Sequence, residues 1–108
     1  YYYVYYTVPG QNRNRISRFT ANGNATLPGS EVVLLTLNEM PGTIHNAGSM
    51  AFGADGKLYV GVGDGGNANA SQDKGSLLGK VLRLNTNPTE LIPIDNPFFN
   101  DNTFTGNN

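Results

Sequence analysis

Apolar and polar residues change places in short runs along this chain, and no run sustains a helical period. "YYYVYYTV" (residues 1–8) is aromatic and β-branched, the composition of a strand. Pro9-Gly10 closes it, and "NRISRFT" (14–20) reads as its antiparallel partner. A turn-rich stretch with Asn22-Gly23 and Pro28-Gly29 leads to "EVVLLTL" (31–37). Val32 and Leu34 fall on one side of that strand and Val33, Leu35 and Leu37 on the other, which predicts cover on both faces. After "NEMPGTIHNAG", the runs "SMAFGA" (49–54) and "KLYVGVG" (57–63) flank Asp55-Gly56, a hairpin signal. "KVLRLN" (80–85) is a further strand. "SQDKGSLLG" is the one candidate for a helical turn or two, weakened by Gly75, and the chain beyond Thr86 reads mostly as loop.

The pieces resemble one another. "YVYYT…NRISRFT" and "LYVGVG…KVLRLN" each give an aromatic-rich strand, a break, then a strand with an internal arginine, Arg18 or Arg83. "EVVLLTL" would complete the first unit and "SMAFGA" begin the second. A unit of about four strands and roughly 40–50 residues is the module of a β-propeller blade. The sequence therefore predicts an all-β fold, a partial β-propeller of antiparallel four-stranded blades. Residues 1–37 would be the end of one blade, and 45–108 the next blade with the loop that follows. That is about two to two and a half blades, where a closed ring needs at least about four. The expectation is an excised piece, opening mid-strand at Tyr1 and ending in the polar "FNDNTFTGNN". Its open edges would be met by the remaining blades or by other copies of the chain.

Composition narrows the function. The 108 residues suit one small domain, and a net charge of −1 points to neither nucleic acid nor an anionic membrane surface as partner. Charged residues are only 14%, while Gly numbers 14, a profile of short strands joined by turns. The absence of cysteine removes disulfides and thiolate metal sites from consideration. Two triplets, Asn24-Ala25-Thr26 and Asn69-Ala70-Ser71, fit the N-glycosylation pattern, which has meaning only in a secreted eukaryotic protein.

The loop after "KLYV" invites three ligand readings. Gly61, Gly63 and Gly66 spell G-x-G-x-x-G, but "NANASQDKGS" opens no sustained helix, and no acidic residue follows at ribose-binding distance. "GSLLGKV" has three residues where a phosphate loop has four, and Val81 where a hydroxyl is needed. A calcium loop started at Asp64 would put Gly66 and Ala68 at ligand positions and Gly75 in place of the bidentate Glu. What is left is a long connection between the second and third strands of a blade. In a propeller such connections open on the same face as the crossing from one blade to the next. "NEMPGTIHNAG" is that crossing here, so His45, the only histidine, should share a rim with the loop 64–79. A loop histidine is either a proton acceptor near neutral pH or an exposed side chain of no consequence. Asp64 and Asn46 are candidates for lining the same pocket; each also has a plainer reading, as a turn former.

"HN-x-G", "AFG-x-DGKLYVG-x-GDGG", "QD…LLGKVLR" and "IP-x-DNPF" occur here in one order, and together the chain resembles the glucose/sorbosone dehydrogenase family. The resemblance implies a six-bladed propeller of the kind found in soluble quinoprotein aldose dehydrogenases. It implies oxidation of the anomeric carbon of an aldose by hydride transfer to pyrroloquinoline quinone (PQQ), with Ca²⁺ assisting and His45 as general base. It also implies a periplasmic or secreted location. Ile44 departs from the soluble glucose dehydrogenase branch, which carries an orienting Asp there. The arginine-asparagine motif, calcium ligands and cationic partners of the quinone would lie beyond this chain, which by itself is expected to be inactive. None of Arg13, Arg15, Arg18, Lys80 and Arg83 is expected to hold cofactor. A propeller of this family can also serve as a non-catalytic binding module, as in hedgehog-interacting proteins.

Overall fold

In the computed structural model, which describes residues 1–100, two antiparallel sheets pack on one core. The first sheet takes β1 (Tyr2–Thr7), β2 (Arg13–Phe19) and β5 (Val32–Glu39) in the order β1-β2-β5. A small hairpin, β3 (Ala21–Asn22) and β4 (Ala25–Thr26), is inserted between β2 and β5. The second sheet runs β6 (Ala47–Phe52), β7 (Leu58–Val62), β8 (Lys80–Leu84). Each sheet thus supplies three strands of a blade: the later ones in the first sheet, the earlier ones in the second. The strands expected from the sequence all form, and the tail 101–108 assigned to the second unit lies outside the described residues.

The internal repeat is visible in register. Tyr3 sits opposite Arg18 across β1 and β2, and Tyr59 opposite Arg83 across β7 and β8. Alternation sets the faces: in β7, Leu58, Val60 and Val62 point into the core at 0–6% exposure. β5 departs from simple alternation. Its pairing with β2 jumps from Ile16↔Leu35 to Ser17↔Val33, a bulge at Leu34. The extra residue lets Leu34, Leu35 and Leu37 all meet the core around Ile16, while Val33 is left 42% exposed. Cover on both faces, as the apolar run predicted, is therefore replaced by a one-sided core and a bulge.

The two sheets meet through Tyr3 of β1, which packs edge-on against Phe52 of β6 at 5.4 Å between ring centroids. The helical turn falls earlier than the sequence indicated, as a single 3₁₀ turn at Ala68–Ser71. Further along, the side chains of Asp73 and Ser76 take the backbone N–H groups of Gly75 and Leu78, which favours turns over helix. Leu77 and Leu78 are buried there, so this long loop is fastened to the core at its far end. A second 3₁₀ turn, Pro88–Glu90, interrupts the stretch after Thr86 and is capped by the Asn87 side chain.

Candidate active site

His45 arrives at the start of β6 on a strained backbone. His45 and Ala47 have φ of 56° and 57°, the only non-glycine residues in the left-handed region among those described. The loop that follows β7 comes directly over them. The N–H groups of Gly63 and Gly65 make long bonds of 3.4 Å to the carbonyls of Asn46 and His45, and a Cβ on Gly63 would land on the His45 carbonyl. Gly63, the middle glycine of the G-x-G-x-x-G string, is thus required by the close approach of two loops.

That approach joins His45 to Asp64, nineteen residues on, with Nδ1 2.8 Å from Oδ1. Asp64 also accepts the Gly66 N–H at 2.9 Å. The Gly66 N–H first, and the imidazole second, hold the Asp64 carboxyl below its ordinary value, so it is ionised at neutral pH. A carboxylate can only accept; the proton of this bond therefore belongs to Nδ1, and in the neutral ring the lone pair is on Nε2. The ring is 61% exposed, and Nε2 has no hydrogen-bond partner among the described residues. Asp64 thereby does both jobs that the sequence offered as alternatives: it shapes the turn and it faces the pocket.

Asn46 is placed differently. Its Oδ1 accepts from Asn14 Nδ2 at 2.9 Å, its Nδ2 donates to the Thr43 carbonyl at 3.2 Å, and its own carbonyl takes the Tyr5 hydroxyl at 2.8 Å. Both ends of its side chain are engaged with protein. Tyr5 and Asn14 were not singled out from the sequence, and only the alternation that sends Tyr3 and Tyr5 to the core face hints at either.

His45 and Asp64 border a shallow depression of ≈ 460 Å³ whose floor includes Ser71, Gly79 and Lys80. A larger cavity, ≈ 870 Å³, lies elsewhere, between β5 and the 89–99 segment, and is lined mainly by apolar side chains such as Leu35, Leu91 and Ile92. A quinone bearing several carboxylates would need cations, and Lys80 is the one cation at the depression. Its Nζ already bonds the Ala70 and Leu78 carbonyls at 2.6 and 2.9 Å. The arginines are likewise engaged elsewhere: Arg13 with Glu39, Arg15 with Thr36, Arg18 with the Thr86 carbonyl, and Arg83 with Asp55 and Asp95. No three His, Asp or Glu side chains converge as a metal would require among the described residues. These residues alone do not fit PQQ or Ca²⁺.

Residues 1–106 match the family described as Glucose / Sorbosone dehydrogenase. Two Arabidopsis thaliana proteins, HIPL1 and HIPL2, are 36% and 38% identical over 86% and 72% of this chain. An uncharacterised Synechocystis protein, slr1608, is 32% identical over 92% of it. The chain covers only 17%, 13% and 27% of those three relatives. A glucose dehydrogenase superposes with a TM-score of 0.78 over 94% of this chain and 30% of its own, at 18% identity, which speaks to fold. The PQQ-bound aldose sugar dehydrogenase of Streptomyces coelicolor superposes with a TM-score of 0.60 over 78% of this chain and 25% of its own, at 34% identity.

Proposed function

The chain belongs to the glucose/sorbosone dehydrogenase family, and on that premise we propose that it forms the proton-accepting rim of a propeller that oxidises aldoses. His45 is the general base. The observation that carries this is the 2.8 Å contact between its Nδ1 and Asp64, which engages one ring nitrogen and leaves Nε2 unpartnered among the described residues, on a residue that borders the depression. In the proposed reaction a sugar hydroxyl gives its proton to Nε2, and the imidazolium is stabilised by the Asp64 carboxylate through Nδ1–H. Such a base contributes about 10²–10⁴-fold to rate. Ser71 and Lys80 border the same floor and would limit where the sugar ring rests.

PQQ as electron acceptor is supported by the S. coelicolor neighbour. Since the residues of this chain do not fit the quinone, its carboxylates and any Ca²⁺ would be held by other blades. The isolated chain is then inactive, and the whole protein works in the periplasm or outside the cell. A second reading is a non-catalytic propeller that binds another protein. It is favoured by the two HIPL relatives and by the prior engagement of every cation near the site.

The deciding experiment uses the full-length protein. Calorimetric titration with PQQ and Ca²⁺ is combined with aldose-dependent dye reduction by the wild type and His45→Gln. Quinone binding retained with kcat lowered about 10²-fold or more supports the base. Unchanged turnover sinks it, and absence of both quinone binding and turnover in the wild type selects the binding module.

A further inference from the structure

The two left-handed residues, His45 and Ala47, bracket Asn46, and Asn46 is the residue that the first sheet grips. Asn14 of β2 is 2% exposed, an amide placed where the surrounding core is apolar. A buried amide is costly unless each polar atom is paired. Asn14 meets that demand: Oδ1 accepts the Thr7 hydroxyl at 2.8 Å, and Nδ2 donates to Asn46 Oδ1 at 2.9 Å and to the Tyr5 hydroxyl at 3.2 Å. Tyr5 passes its own proton to the Asn46 carbonyl at 2.8 Å. Burial pushes the Tyr5 phenol up, against a smaller opposing effect of Asn14, so it stays a donor well above neutral pH. The ring also lies flat against the backbone at Gly48, φ 112°, where a Cβ would come within 2.8 Å of it.

We infer that Tyr5 and Asn14 are positioning residues for the imidazole. By clamping Asn46 from the neighbouring sheet, Tyr5 at its backbone carbonyl and Asn14 at its side-chain oxygen, they hold the left-handed turn that aims His45 at Asp64. Each left-handed residue costs about 1–2 kcal/mol relative to a right-handed one, so without outside contacts the turn would relax and carry the ring with it. A register between two blades is in this way converted into the tautomer of one side chain. This inference rests on His45 as base for its effect on turnover, but not for its effect on the ring.

The test is made in the full-length protein, with imidazole ¹⁵N NMR to read the tautomer and His45→Gln to assign the signal. Tyr5→Phe removes one hydroxyl and keeps the ring. The expected result is a shift of the His45 signals from the Nδ1–H form toward a mixture of tautomers, with kcat lowered about tenfold and KM within about twofold. Tyr6→Phe is the matched control: its hydroxyl donates to Glu31 and it should change neither reading. An unaltered imidazole spectrum in Tyr5→Phe overturns the clamp whatever turnover does, and so does an equal change in Tyr6→Phe. Altered spectra with unaltered turnover keep the clamp and count against the base instead. Should Tyr5→Phe fail to fold, Thr7→Val removes only the donor that orients Asn14; it predicts the same shift in smaller amount, and no shift overturns the clamp.

Discussion

The two ends of the β6-β7-β8 sheet are built from similar parts and differ in what they leave over. At the far end, Asp55 accepts the Lys57 N–H at 3.1 Å, as Asp64 accepts that of Gly66, and each aspartate also takes a basic side chain. There Arg83 spends itself fully. Nε reaches Asp55 and the Tyr59 hydroxyl, Nη1 reaches Asp95 and Asn96, and Nη2 makes a second bond to Asp95. The two carboxylates raise the Arg83 pKa further, and the "DNPF" string is explained as the outer half of this knot. At the near end the His45 side chain makes one bond, stands on a strained backbone and leaves Nε2 without a partner among the described residues. Saturation marks a structural network, and an oriented but unspent group under strain marks a site.

The largest effect is expected at the near end. Gly63→Ala forces a Cβ into the His45 carbonyl, where the opposing atoms are backbone and cannot give way. The expected loss is about 3 kcal/mol of stability, read by denaturant melts, with the His45–Asp64 contact gone as well. A Gly63→Ala protein as stable as wild type would contradict the close approach of the two loops.

A reciprocal pair sharpens it. Asp64→Asn keeps a turn former but loses the carboxylate, so kcat should fall on the order of 10²-fold while Tm moves little. Arg83→Met should do the reverse, lowering Tm by about 5 °C with kcat within about twofold at a permissive temperature. Equal effects of the two on turnover would erase the distinction between the ends.

The smallest effect is in acid. Hydrogen bonds from the Lys57 N–H and then Tyr59 and Arg83 lower the Asp55 carboxyl, and Arg83 lowers that of Asp95, both from an ordinary 3.8. A carboxyl depressed in the folded state contributes stability that is fully present above its unfolded value and fades as pH drops through the folded one. Stability should hold steady above pH of about 4 and decline below it. Arg83→Met should flatten that decline, and an identical acid slope in wild type and variant would rule out Arg83 as its source.

Much of this was legible in the chain. The larger strands, their order and the two-unit repeat follow from period-2 patterning and turn residues, because a strand's faces are local consequences of alternation. The bulge at Leu34 was not legible, since an apolar run reads the same with or without an extra unpaired residue. His45 and Asp64 were placed on one rim by blade topology, but their direct bond was not. They stand nineteen positions apart with the β6–β7 hairpin between them, and whether the two flanking loops touch is decided by packing rather than by pattern.

Residue types alone determined that the chain is all-β, that its glycine-rich loop opens no sustained helix, and that one imidazole is available. Tertiary structure decided which nitrogen of that imidazole is free, because tautomer depends on the acceptor beside it and Asp64 is brought there only by the folding of β7. It also decided that Asn46 is held by protein and that Arg83 is a strut. Hydrogen bonds between residues far apart in sequence leave no period or spacing to read; those of His45 and Arg83 exist only once β6, β7 and β8 have paired, and those of Asn46 with Tyr5 and Asn14 only once the two sheets have met.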